Sequence, residues 1–240
     1  MALKGKIMAL ATALIVTAGA GICHYIANKN TPEFIRTSAK ATDLPIIVLD
    51  ARHGGMDGGC TSATGVCEKG INLNILLNLR DMLVTYGYEV EVTRDTDISI
   101  HDSGIEGVAN QKSSDMDNRL ALFNKHKNAV CISIHQNQFT DSKYSGAQMF
   151  YSATNSKSQK LAEILQKKFV AYLQPENRRE TKLCGKELFL CYFSENPTVM
   201  AECGFLSNPE EAEKLNTEEY QKQIAFTLFS GINEYVSAKK

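Results

Sequence analysis

The chain has 240 residues, of which 43% are hydrophobic, 22% charged and 8% aromatic. That length suits one α/β domain or a tight pair, and 16 Gly with 5 Pro exclude collagen-like and low-complexity classes. Lys and Arg number 26 against 27 Asp and Glu, a net charge of −1, so the basic excess of a general nucleic-acid binder is missing. Seven cysteines are too dilute for a disulfide scaffold. They form no CxxC pair, which argues against a cysteine-rich zinc finger.

Taken in chain order, Lys4 and Lys6 precede an uncharged run, Ile7 to Ile22. As a helix it would span about 24 Å against a hydrocarbon core of roughly 30 Å. A basic start followed by a short apolar run reads as an export signal or a short signal anchor over residues 1–23. Residues 24–44 show little periodicity and read as a linker, which places the folded domain at 45–240.

Ile46 to Leu49 is a continuous apolar run, as expected for a strand buried on both faces. Beyond a glycine-rich loop, Ile75, Leu76, Leu79, Met82, Leu83 and Tyr86 fall on one helical stripe that Gly87 would stop. Glu89 to Thr93 alternates like a strand, residues 95–114 look like a polar loop, and 115–127 can be helical. Further strands are expected at Ala129 to His135, Gly146 to Tyr151, Leu188 to Tyr192 and Val199 to Cys203. Leu161, Ile164, Leu165, Phe169 and Tyr172 mark an amphipathic helix between them. Asn208, Pro209, Glu210 and Glu211 have the N-cap, the first-position proline and the acidic first turn of a helix start. A last helix carries Tyr220, Ile224, Leu228, Ile232 and Tyr235. Strands alternating with helices imply an α/β fold with one twisted, mostly parallel sheet of about six strands and helices on both faces.

Polar residues gather at the strand ends. The first strand ends at Asp50 with His53 just beyond, the third delivers His135, and the last delivers Glu202; Glu68 stands between the glycine-rich loop and the first helix. Open α/β sheets bind ligands beyond the carboxyl ends of their strands, and two imidazoles with one carboxylate form a standard zinc set with a fourth position free. Asp57 is a rival third ligand, ranked behind Glu68, and Cys60 with Cys67 could make a separate soft site or a disulfide. His24, His101 and His126 read as solvated surface residues. Gly54, Gly55, Gly58 and Gly59 fit no phosphate-binding pattern and suggest a permissive backbone around a metal. Glu202 could be structural, but a buried strand end is a costly place for an unpaired carboxylate.

The blocks IVLDARHGGMDGGC, GVCEKGINLNILLNLRDML, VTRD, NRLALFN, SIHQN, SGAQMFYS and MAECGFLSNPEEAEKL occur in the order found in zinc-dependent N-acetylmuramoyl-L-alanine amidases. The chain resembles that family from about Pro45 onward, and most resembles its CwlD-type sporulation members. The resemblance implies zinc held by His53, Glu68 and His135, with Glu202 as the proton-transferring carboxylate. It implies cleavage of the amide between the muramic lactyl group and L-alanine, in service of cortex muramic δ-lactam. Arg52 stands where the family usually has glycine, placing a cation beside the metal set and pointing to a substrate carboxylate. Peptidoglycan strands with stem peptides are the expected partner, at the outer face of the membrane or the forespore envelope, with membrane contact only through the N-terminal segment and no nucleic acid. A net charge near zero and no recognisable wall-binding repeat lead us to expect an accessory protein that localises the domain or favours its metal-loaded state. Two rivals stand beside this: a wall-binding scaffold without catalysis, and another zinc-dependent wall peptidase or deacetylase.

Overall fold

A computed structural model describes residues 44–238. The export signal and nearly all of the linker expected from the sequence lie outside the described residues. Six strands, β1 (Ile46–Ala51), β2 (Val90–Val92), β3 (Ala129–Asn137), β4 (Gln148–Tyr151), β5 (Lys182–Leu183) and β6 (Thr198–Phe205), form one sheet in the order β2-β1-β3-β6-β4-β5. Every neighbouring pair is parallel except β4 with β6. The long helices are α1 (Glu68–Tyr86), α2 (Val108–Asn124), α3 (Lys157–Tyr172) and α6 (Glu218–Ser237); α4 (Phe189–Phe193) and α5 (Pro209–Leu215) are short.

Alternation along the strands divides the core. Ile47, Leu49 and Ala51 of β1 join Val130, Ile132 and Ile134 of β3 on one face, under α1, α3 and α6. Val48 and Cys131 point to the other face, where Phe123 of α2 and Leu190 of α4 cover them. Fully buried Ile75, Leu76, Leu79 and Leu83 fix α1 to the sheet, at roughly 1.5–3 kcal/mol for each side chain removed from water. Gly87 ends α1 at φ 102, with its N–H returned to Leu83 and Val84, a conformation that suits glycine. Asn208 caps α5 by accepting from the Glu211 N–H at 3.0 Å, with Pro209 at the first turn.

Two expectations require correction. Leu188 to Tyr192 is not a strand: Phe189–Phe193 forms α4, and the sixth strand is the two-residue β5. The sequence FLCYF has strand-like aromatic content, but it closes the open side of the second core cluster instead of extending the sheet. The helix expected from Asp115 begins at Val108, because its first two turns are polar and exposed and give no apolar stripe. Among the described residues, no helix is long and apolar enough to cross a membrane.

Candidate metal centre and active site

Parallel pairing brings the carboxyl ends of β1, β3 and β6 side by side. Asp50 is in register with Ser133, and His135 with Glu202, so His135 and Glu202 leave adjacent strands at the same level. His53 follows β1 in a left-handed backbone conformation, φ 66, which is uncommon outside glycine. Its carbonyl accepts from Arg119 Nη2 at 3.0 Å. Paired backbone hydrogen bonds between Gly54 and Asp57, at 2.9 and 3.1 Å, close the turn behind it.

Glu68 is the first residue of α1 and is buried. Its two oxygens face different imidazoles, Oε2 lying 3.3 Å from His53 Nε2 and Oε1 3.3 Å from His135 Nδ1. The ligand atoms of these three residues all lie within 4.8 Å of one another. Donors bound to one ion at about 2.0–2.1 Å with tetrahedral angles stand about 3.3–3.4 Å apart. Each imidazole stands at that distance from one oxygen of Glu68, and two imidazoles with a carboxylate are donors that suit zinc. Burial works against the Glu68 charge, but His135 and His53 beside it hold the carboxyl well below the usual range. The two histidines shift in opposite directions. Burial dominates for His135 and lowers it, whereas the carboxylates of Glu68 and Asp57 outweigh burial for His53 and raise it.

Neighbouring groups orient this set. Glu68 accepts from the backbone N–H groups of Cys60 and Gln136, each at 3.0 Å, and from Asn72 Nδ2 at 3.1 Å. Asn72 in turn accepts from Gln136 Nε2 at 3.1 Å. Asp57 lies 2.8 Å from His53 Nδ1, on the side of the ring away from Glu68. Burial opposes its ionisation, but His53 and Lys112 hold its pKa at about 2. An ionised carboxylate can only accept, so Nδ1 carries the proton and Nε2 of a neutral ring is left to coordinate. Asp57, the rival ligand in the sequence, therefore sits behind a histidine and outside the cluster. At Gly59, φ 71, an added Cβ would fall 2.6 Å from His53 Cδ2 and 2.7 Å from Glu68 Oε2.

Glu202 is less well satisfied. Its Oε2 is buried without a hydrogen-bond partner. Burial, reinforced by the charge of Glu68 and opposed by Arg179, pushes its pKa up to about 8. Cys60 and Cys67 are free thiols, with Cys60 Sγ donating to the Gln136 carbonyl. His101 and His126 stay out of the cluster, yet neither is a freely solvated side chain. His101 bonds Ser99 and His126 bonds Glu91, each at 2.9 Å, and both are half-buried.

Sequence reasoning passed over three contributors. Asn72 was detectable from its i, i+4 spacing to Glu68 on α1. Gln136 acts partly through its backbone, and Arg119, buried in α2, fixes the backbone of His53; the sequence alone carries no signal for either role.

Comparison with known proteins shows the family. A family model described as N-acetylmuramoyl-L-alanine amidase matches residues 47–234. The germination-specific N-acetylmuramoyl-L-alanine amidase of Bacillus subtilis is 34% identical over 194 residues, which cover 81% of each chain. The CwlD amidase from Clostridioides difficile, solved in complex with the GerS lipoprotein, is 34% identical with a TM-score of 0.78 over 81% of this chain and 99% of that one. An N-acetylmuramoyl-L-alanine amidase from Clostridium difficile 630 is 27% identical with a TM-score of 0.71, covering 83% of this chain and 100% of that one. A model matched over most of the chain and a relative sharing a third of its residues show that this chain belongs to the N-acetylmuramoyl-L-alanine amidase family of hydrolases.

Proposed function

We propose that His53, Glu68 and His135 hold a catalytic zinc ion and that Glu202 is the general base for cleaving the bond between the muramic lactyl group and L-alanine. The convergence of both imidazoles on the two oxygens of one buried carboxylate, at 3.3 Å each, carries this reading. When bound, zinc supplies Lewis-acid polarisation of the amide carbonyl and lowers the pKa of water from 15.7 to about 7. Glu202, on the strand beside His135, takes the proton from water and returns it to the departing L-alanine amine. Positioned acid–base transfer of this kind contributes roughly 10²–10⁴-fold. Burial raises the Glu202 carboxyl, a direction that favours holding the proton until the amine departs. Asp57 keeps His53 in its coordinating tautomer, and the Cys60 and Gln136 N–H groups keep Glu68 ionised.

The domain boundaries, 1–23 for the signal or anchor, 24–44 for the linker and 45–240 for catalysis, belong to this proposal. So does an outer-face location, supported by Lys4, Lys6 and the apolar run Ile7 to Ile22. Action on spore cortex is supported by the germination-specific relative, and an accessory protein by the CwlD amidase solved with a lipoprotein. The test is a digest of purified cortex-type sacculi by the full chain with zinc, followed by mass spectrometry. Free muramic lactyl carboxylates beside intact stem peptides are expected. Cleaved peptides or deacetylated sugars would favour the rival hydrolases, and no release would favour the scaffold.

A further inference from the structure

Beside His135, on the face of the sheet that α2 and α4 cover, lies a cavity of about 150 Å³ bounded by Arg52, Ser133, His135, Glu187, Phe189 and Met116 among others. Its arginine is half-buried and differs from the two buried arginines nearby. Arg119 is saturated by Asp50, Asp115 and two carbonyls. Arg94 spends its donors on the carbonyls of Ala51, Arg52, Lys69 and Thr96. Arg52 has as its hydrogen-bond partner among the described residues the thioether of Met116, a weak acceptor. The nearby acids place their ion-pair contacts elsewhere, Asp50 and Asp115 on Arg119 and Asp57 on His53 and Lys112, although the Asp50 charge also acts on Arg52. Ser133 gives its proton to Asp50 at 2.5 Å, so it offers an anion in the cavity no donor. Glu187 is exposed at the rim, the one acid among the cavity's lining residues.

A guanidinium is always charged and presents five donors in a fork shaped for a carboxylate. Half-burying one beside unused space leaves donors for an outside acceptor. We infer that Arg52 and this cavity form a substrate subsite that binds a free carboxylate of the stem peptide, next to the scissile amide. The inference rests on the amidase reading, since it takes His135 as part of the reaction centre. In a stem peptide whose second residue is a γ-linked glutamate, the free α-carboxylate lies one residue beyond L-alanine, and amidating it removes the charge while barely changing the shape. Arg52 is thus a specificity-determining residue that separates carboxylate from carboxamide substrates. Glu187 at the rim works against an anion, so removing its charge should strengthen the preference.

The experiment compares two muramyl dipeptides that differ only in carboxylate against carboxamide at that position. Their binding is measured by calorimetry on the full chain carrying Glu202→Gln, so that affinity is read without turnover. The carboxylate form is expected to bind about tenfold or more tightly, the scale of one charged hydrogen-bonded contact. Adding Arg52→Gln should bring the two within about twofold, and Arg52→Lys should keep part of the preference. Equal affinities before any change at Arg52, or a preference that survives Arg52→Gln in a protein with an unaltered melting curve, would overturn the inference. If Arg52→Gln does not fold, the comparison is made with Arg52→Lys and Glu187→Gln, where the first must weaken the preference and the second strengthen it. Failure of the amidase reading shows separately, as wild-type chain that leaves both dipeptides uncut.

Discussion

Two groups of buried charge flank the end of β1, and they are finished in opposite ways. Around Asp50, every demand is met. Its carboxylate accepts from Arg119, from Thr93 at 2.8 Å and from Ser133 at 2.5 Å, while Arg119 also bonds Asp115 and the carbonyls of Ala51 and His53. Around Glu68, at the start of α1, contacts are left open. The imidazoles stand 3.3 Å from the carboxylate, Glu202 Oε2 and Gln136 Oε1 have no partner, and Arg52 faces a thioether. A saturated network of buried charge holds a shape, whereas an unsaturated one beside it marks where a ligand belongs. Arg119 connects the two, because its bond to the His53 carbonyl holds a backbone that φ 66 would otherwise disfavour.

The comparison breaks most visibly at Arg119. Arg119→Ala leaves Asp50 and Asp115 without their cation, an expected loss of about 3–5 kcal/mol or roughly 10 °C in Tm. Thermal unfolding with and without zinc checks it, and an unchanged Tm would show that the network is not what secures this edge. At the open cluster, Asp57→Asn should lower Tm of the metal-free protein by less than Arg119→Ala does while weakening zinc about 10–100-fold. A zinc titration against a competing chelator reads that difference, and a variant that loses stability but keeps its zinc would reverse the two roles.

The smallest expected effect concerns pH. Burial alone would raise Asp50, but Arg119, Arg52 and the Ser133 hydroxyl hold it well below the usual carboxylate range; Asp115 is lowered in the same way by Arg119. Folded-state values below the unfolded ones give stability that is fully present above about pH 5 and is lost as pH falls toward the folded values. Tm should therefore drop below about pH 4, and with a shallower slope in Asp115→Asn, whatever that variant's Tm at pH 7. Parallel slopes in the two proteins would count against Asp115 as a source of the acid sensitivity.

Much of this was legible beforehand, for identifiable reasons. Strands buried on both faces announce themselves as apolar runs, so β1, β3 and β6 could be placed, and with them the edge carrying His53, His135 and Glu202. The start of α5 was legible because Asn208 and Pro209 act locally, through a cap and a fixed φ. The rest depended on tertiary context. Phe189 to Phe193 has the composition of a strand and is a helix because of what it covers. The pair Lys182–Leu183 is too short and too exposed to show any period. Asp57 stood as a rival ligand behind Glu68 because sequence reveals which residues share a loop, not which side of an imidazole each one occupies.

The most direct test of the account is zinc content measured side by side in the full chain, Glu202→Gln and Glu68→Gln, together with amide cleavage. A glutamine at 202 keeps the shape but cannot take a proton, whereas a glutamine at 68 is a poorer ligand for the dication. The account predicts one zinc per chain in Glu202→Gln with cleavage reduced roughly 10²–10⁴-fold, and little zinc and little cleavage in Glu68→Gln. Zinc lost from Glu202→Gln and retained in Glu68→Gln would contradict it, as would a Glu202→Gln chain that cleaves at the wild-type rate.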